Sequence, residues 1–225
     1  CIDETLLENS ITNKTKMILP VHFAGTACNM KKIQKICKKN GLALIEDAAH
    51  AIGTSYDDKK IGTHGDLVCF SFHPTKNLPT PSGGAITINT KNHNELSNEL
   101  FSKRWCGISN RKKFSYDIEK IGWNYYMNQF SAAIGIEQLK KLDTQIKKRR
   151  KNAKRYSQEL NVNSKMRFDK DCGYHFYWIC IKNRENIMKK LAEFGIETGI
   201  HYNPIHKMNF YKNSKVNLPI TENIT

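Results

Sequence analysis

Two short apolar runs joined through one amphipathic helix restrict this chain to an open α/β sheet. Lys16 to Val21 (KMILPV) is apolar enough for a strand, with Pro20 near its end or at a bulge. Gly25-Thr26 makes a turn, and Asn29 is placed to cap a helix from Met30 to Lys39. Ile33, Ile36 and Cys37 give that helix an apolar stripe, lysines cover its other face, and Asn40-Gly41 supplies the stop. Leu42 to Ile45 is the next strand. Strand, helix, strand in that compass is a βαβ unit, so the two strands should run parallel. Glu46-Asp47 then follows a strand's carboxyl end, where such a sheet opens a crevice to ligands.

The same pattern continues. Thr54 to Ile61 reads as a short hairpin around Asp57-Asp58, and Leu67–Ser71 and Ala85–Asn89 as further strands. Lys76 lies five residues past Ser71 in a proline-containing loop, and Gly83-Gly84 opens the last of these strands. His93 to Arg104 reads as a helix with Leu96 and Leu100 inward, and 105–122, without a clear period, as a loop. Asn128 to Leu160 is a long helical region with Phe130, Ile134, Ile136, Leu139, Leu142 and Ile146 at helical spacing. Beyond it, Tyr174 to Ile181 is β-rich, Asn186 to Phe194 helical, and Gly195 to Tyr202 a turn and strand. The expected organisation is 1–122 as part of a large α/β domain with a mostly parallel sheet, 123–160 as a connecting helix, and 161–225 as a small, incomplete α+β domain.

The net charge of +15 allows nucleic-acid binding. Its lysines, however, are scattered among Asn and Gln on expected solvated helix faces, so no nucleic-acid partner is assigned. No apolar run approaches the roughly 18 residues that span a bilayer. Seven cysteines, odd in number and without CxxC spacing, argue against a disulfide framework or a metal site and for a reducing cytoplasm. The chain begins on Cys1 rather than Met and ends without a closing element, so it reads as a piece of something longer.

The chemistry rests on residues that strand ends bring together. A lysine used as a nucleophilic amine must lose its proton, which needs a desolvated or cation-flanked site. Lys76, among Phe72, His73, Pro74, Leu78 and Pro79, is the least solvated lysine by its surroundings. Asp47 could pair with a ring nitrogen and Ser71 could donate to a phosphate, while the backbone at Gly83 and Gly84 could approach a ligand closely. An Asp for a pyridine nitrogen and a lysine for a carbonyl are what a protein contributes to pyridoxal phosphate chemistry.

The segments PVHFAGTACNM, LIEDAAHAIGTSYDDKKIGTHGD, FSFHPTKN, GWNYYMNQFSAAIGIEQLKKLD and GIETGIHYNPIH resemble successive motifs of the DegT/DnrJ/EryC1/StrS family, in order over nearly the whole chain. These are pyridoxal-phosphate-dependent aminotransferases of nucleotide-linked keto-sugars with the aspartate aminotransferase-like (type I) fold. The resemblance implies that Lys76 carries the cofactor and shuttles the proton, and that Asp47 faces the pyridine nitrogen. His50 falls beside the ring, and Ser71 matches a phosphate-binding serine. Asn124 matches an asparagine that reaches the phosphate of the partner subunit, which implies a homodimer with shared active sites. His201 and Tyr202 fall in a segment lining the sugar side. The implied donor is an amino acid, glutamate.

Two departures bear on substrate contacts. The family's NYRM is Asn124-Tyr125-Tyr126-Met127 here, and its GEGG is Pro81-Ser82-Gly83-Gly84. Its N-terminal phosphate-cup segment precedes the point where this chain starts. Two other readings stay open: a relative that keeps the cofactor but runs a deoxysugar dehydratase-like reaction, against which Lys76 argues, and an inactive fragment or basic binding module.

Overall fold

The computed structural model describes residues 1–211, 213 and 216–224. They form two compact units: Cys1–Leu160 with Arg167–Tyr177, and Asn161–Met166 with Trp178–Thr225. The first opens with a short helix, α1 (Leu7–Ser10), and strand β1 (Met17–Ile18).

Helix α2 (Met30–Asn40) forms where its caps and stripe require. The Asn29 side chain accepts the Lys32 N–H at 3.3 Å. Gly41, at φ 62°, ends the helix in the left-handed conformation that glycine adopts at no steric cost. Met30, Ile33, Ile36 and Cys37 are buried, while the lysines between them are exposed. Strand β2 (Ala43–Asp47) runs parallel to β1, as the strand–helix–strand pattern requires.

A two-residue hairpin follows, β3 (Ser55–Tyr56) and β4 (Lys59–Lys60). Its turn residues Asp57 and Asp58 have φ of 51° and 59°, the mirror-image turn that matches strand twist, and Asp tolerates it. Strands β5 (Leu67–Ser71) and β6 (Gly84–Ile88) complete a sheet ordered β1-β2-β5-β6, parallel except for β6. Leu44 and Val68 from its central strands join Met30, Ile33 and Ile36 in one core. Each such side chain contributes roughly 1.5–3 kcal/mol by leaving water.

Helix α3 (His93–Lys103) has no fully buried residue, and Leu96 and Leu100 are only half-buried. The stretch 105–122, expected to be a loop, holds an antiparallel ribbon of β7 (Ile108–Lys112) and β8 (Ser115–Ile118). Nearly all its residues are exposed, so no apolar alternation marks it in the sequence.

Helix α4 (Gln129–Glu159) is capped by Asn128, whose side chain accepts the Ser131 N–H at 2.8 Å. Leu142 and Ile146 are buried, but Phe130 (83 %), Ile136 (60 %) and Leu139 (58 %) are exposed. Its expected apolar face is thus covered only in its middle.

The second unit pairs β9 (Ser164–Lys165) with β10 (Ile179–Cys180) and adds α5 (Arg184–Glu193) and α6 (Pro219–Ile224). Of the expected strand Tyr174–Ile181 only Ile179–Cys180 forms, and Gly195–Tyr202 contains none. Among the described residues no helix is long and apolar enough to cross a membrane.

Candidate active site

Asp47 closes β2, and Ser71 closes the neighbouring parallel strand β5. The Asp47 backbone is held on both sides: its N–H donates to Pro20 O at 2.9 Å, and its carbonyl accepts from His22 N at 3.0 Å. The side chain turns back to accept the Ala49 N–H at 3.0 Å, which fixes the carboxylate. Past Ser71 the chain folds tightly, with the His73 N–H donating to the Ser71 hydroxyl and Lys76 N–H to His73 O.

Burial lowers the Lys76 amine below its ordinary value, and the negative charge of Asp47 opposes that shift. Asp47 and the loop that carries Lys76 leave from the same end of the neighbouring parallel strands β2 and β5. A lowered amine pKa enlarges the unprotonated, nucleophilic fraction near neutral pH. In cofactor-free protein, Asp47→Asn removes the opposing charge, so Lys76 should lose its proton at still lower pH. Competitive labelling with acetic anhydride across pH, read by peptide mass spectrometry, measures that midpoint. A midpoint that stayed or rose would mean the carboxylate does not act on the amine.

Directly behind Asp47, Glu46 points into the core. Its Oε2 lies 2.6 Å from His22 Nε2, both side chains are fully buried, and its Oε1 accepts the Gly65 N–H. His22 Nδ1 accepts the Cys28 N–H at 3.0 Å. Nδ1 is therefore unprotonated, and the ring's one hydrogen is donated to the carboxylate. A Cβ at Gly65 would lie 2.7 Å from Glu46 Oε1, so glycine is needed there. The arrangement fixes the end of β2, and His22 is structural, as its lack of metal spacing suggests.

His50 is mostly buried, with ring centroids 4.3 Å from His175, 5.5 Å from Phe176 and 6.1 Å from Phe23. Its Nδ1 lies 3.4 Å from the Ala24 N–H. Gly25, at φ 96°, threads between, where a Cβ would sit 2.8 Å from Tyr174 N and 3.0 Å from His50 O.

This ring cluster depends on the segment 171–176, which the sequence reading left out of the site. Arg149 Nη1 donates to the carbonyls of Tyr174 and His175 at 3.1 and 3.0 Å. Arg150 donates to those of Cys172 and Asp171 at 2.9 and 3.0 Å. Asn77, next to Lys76, donates to Gly173 O at 2.9 Å, and Gly173 N–H donates to Thr54 Oγ1 at 2.9 Å. The basic run of α4, expected on a solvated face, is thus partly inward, and burial lowers the Arg149 pKa. Lone carbonyl acceptors leave no trace in a sequence, which is why these arginines read as surface charge.

The remaining expected residues fall elsewhere. The glycine pair meets protein: a Cβ at Gly83 would lie 2.7 Å from Met127 Sδ, and one at Gly84 2.5 Å from Phe70 O. Asn124 is exposed and forms a bridge with Trp105. His201 and Tyr202 are in the second unit, with ring centroids 5.0 Å apart. Tyr202 lines a cavity of about 430 Å³ there with Pro204, Ile205, His206 and Tyr211. His206 Nε2 pairs with Glu222 Oε1 at 3.0 Å. Among the described residues no group of His, Cys, Asp and Glu could hold a metal ion.

The donor set suits pyridoxal phosphate: a fixed carboxylate, an amine whose pKa burial lowers, and a strand-end hydroxyl. Comparison with known proteins leads to the same group. The sequence profile of the DegT/DnrJ/EryC1/StrS aminotransferase family matches residues 1–225. The chain is similar to the UDP-4-amino-4,6-dideoxy-N-acetyl-beta-L-altrosamine transaminase of Campylobacter jejuni serotype O:23/36. Identity is 35 %, over 94 % of this chain and 59 % of the relative. Its fold is similar to that of Helicobacter pylori PseC, an aminotransferase involved in the biosynthesis of pseudoaminic acid. There the TM-score is 0.89 and identity 29 %, over 99 % of this chain and 62 % of the other. It also matches Streptococcus pneumoniae Spr1654 in its PLP form, with TM-score 0.85 and 26 % identity over 96 % and 62 % of the two chains. The chain spans about three-fifths of the length of these relatives.

Proposed function

The chain belongs to the DegT/DnrJ/EryC1/StrS aminotransferase family, whose members are pyridoxal-phosphate-dependent with an aspartate aminotransferase-like fold, and from that premise we propose that the full-length protein transfers an amino group from an amino acid, glutamate, to a nucleotide-linked keto-sugar for glycan biosynthesis. The carrying observation is a carboxylate, Asp47, fixed at the end of β2 beside the parallel strand β5, whose following loop carries Lys76, an amine whose pKa burial lowers.

When bound, pyridoxal phosphate supplies an electron sink that allows an amine and a carbonyl to be exchanged. Lys76 holds the cofactor and moves the proton at the substrate carbon, work for which a pKa nearer the operating pH is an advantage. Asp47 keeps the ring nitrogen protonated. Ser71 would take the phosphate, and His50, packed on Phe23 and His175, would stand beside the ring. Asn124 serves a partner subunit's site, and His201 and Tyr202 line the sugar side. A homodimer accounts for the exposed apolar positions Phe130, Ile136 and Leu139 on α4. The odd cysteine count without CxxC spacing supports a cytoplasmic placement.

The test is an absorbance spectrum of the full-length protein with added pyridoxal phosphate. A band near the visible edge that converts on adding glutamate, and converts back on adding a UDP-linked keto-sugar, is expected. No band in folded protein would sink the reading.

A further inference from the structure

The segment between Phe101 and Tyr126 holds cations against aromatic rings to an unusual degree. Arg104 Cζ lies 4.2 Å from the Phe101 ring centroid and 5.6 Å from that of Tyr126. Arg111 Cζ lies 4.4 Å from the Trp105 centroid, and Lys113 Nζ 5.2 Å from that of Phe114. Such contacts occur about once per 70–80 residues, so four in this stretch mark a built feature. Trp105 also packs on Tyr126, with centroids 5.5 Å apart, and Trp123 stacks on Tyr125 at 6.4 Å.

The platform beneath is rigid. Trp123 N–H donates to Lys103 O at 2.8 Å, Tyr125 N–H to Arg104 O at 2.9 Å, and Cys106 N–H to Trp123 O at 3.1 Å. A Cβ at Gly107 would run into the Lys120 carbonyl oxygen, so the backbone passes close there. Among the described residues the Arg104 Nε is buried without a hydrogen-bond partner. The nearby carboxylate, Glu99, is already engaged by Lys103 at 2.7 Å and Lys120 at 3.9 Å. A guanidinium stacked on rings keeps its in-plane hydrogens aimed edge-on, the geometry that takes a phosphate in bidentate fashion.

We propose that Arg104, held between Phe101 and Tyr126 beside Asn124, is a phosphate-binding group, and that it takes the diphosphate of the nucleotide-linked substrate. The exposed rings of Trp123 and Tyr125 offer faces for the base. Arg104 also supplies a positive charge over the ring of Tyr126, the position where the family pattern has arginine. The assignment of this phosphate to a nucleotide rests on the proposed function, whereas the unpartnered Nε does not.

The test uses the full-length protein and two ligands, UDP followed by tryptophan fluorescence and pyridoxal phosphate followed by absorbance. UDP titrations are run with and without the cofactor, so a protein that gives no cofactor band still reports on Arg104. Arg104→Gln should weaken UDP binding at least tenfold while cofactor affinity moves less than twofold. Arg104→Lys should fall between, because lysine offers a point charge without the fork. Should Arg104→Gln lose its circular dichroism, Arg104→Lys decides: UDP binding weakened by about threefold or more with cofactor affinity moving less than twofold supports the site. Weakened cofactor binding with UDP unaffected would reassign the phosphate to the cofactor and overturn the substrate assignment. Unchanged affinity for both in folded variants would overturn the site altogether.

Discussion

Lys76→Ala is expected to lower turnover of the full-length enzyme by at least ~10²–10⁴-fold, the range that a positioned proton-transfer group contributes. The loss should fall on kcat, because the variant keeps Asp47, Ser71 and the strand ends that hold them. Added small amines such as methylamine should restore part of the rate by taking over the proton transfer. Lys76→Arg should not restore it, because a guanidinium stays charged at any working pH. Normal turnover in Lys76→Ala would move the chemistry away from the β5 loop.

The second large effect is on stability. His22→Ala leaves the Glu46 carboxylate fully buried with the Gly65 N–H as its remaining donor, and Cys28 N–H loses its acceptor. Removing one partner of a buried pair of this kind costs about 3–5 kcal/mol. Glu46→Ala should cost a similar amount by stripping the imidazole of its acceptor. The double change to leucine should be milder than either, because no carboxylate or imidazole is then left buried without its partner, although the Cys28 and Gly65 N–H groups lose their acceptors. Equilibrium urea unfolding of the cofactor-free protein reads all three. A double variant as unstable as the sum of the singles would mean that His22 and Glu46 act separately.

Much of the sheet end that carries Asp47 was legible because its elements are local. Asn29, the spacing of Ile33, Ile36 and Cys37, and Gly41 specify α2 without help from distant contacts, and the helix makes β1 and β2 parallel. Asp47 then falls at a strand end by geometry alone. What stayed hidden depends on partners far along the chain. Asn77 and Gly173 are 96 residues apart, and Thr54 and Gly173 119. Arg149 and Arg150 sit in a run of lysines that elsewhere is surface charge. The β7–β8 ribbon was missed for another reason: with both faces wet, it carries no alternation for a period to detect.

The path of the chain around α4 limits how such enzymes can be recombined. After Leu160 it leaves the first unit for six residues, returns as Arg167–Tyr177, and only then passes into the second. The returning segment carries the carbonyls that Arg149, Arg150 and Asn77 require. A gene crossover at the end of α4, where the long helix offers an inviting seam, would separate those donors from their own acceptors. A chimera that exchanges the second unit and keeps the lysine loop intact therefore needs its joint after Tyr177, with the small β9 segment carried over separately.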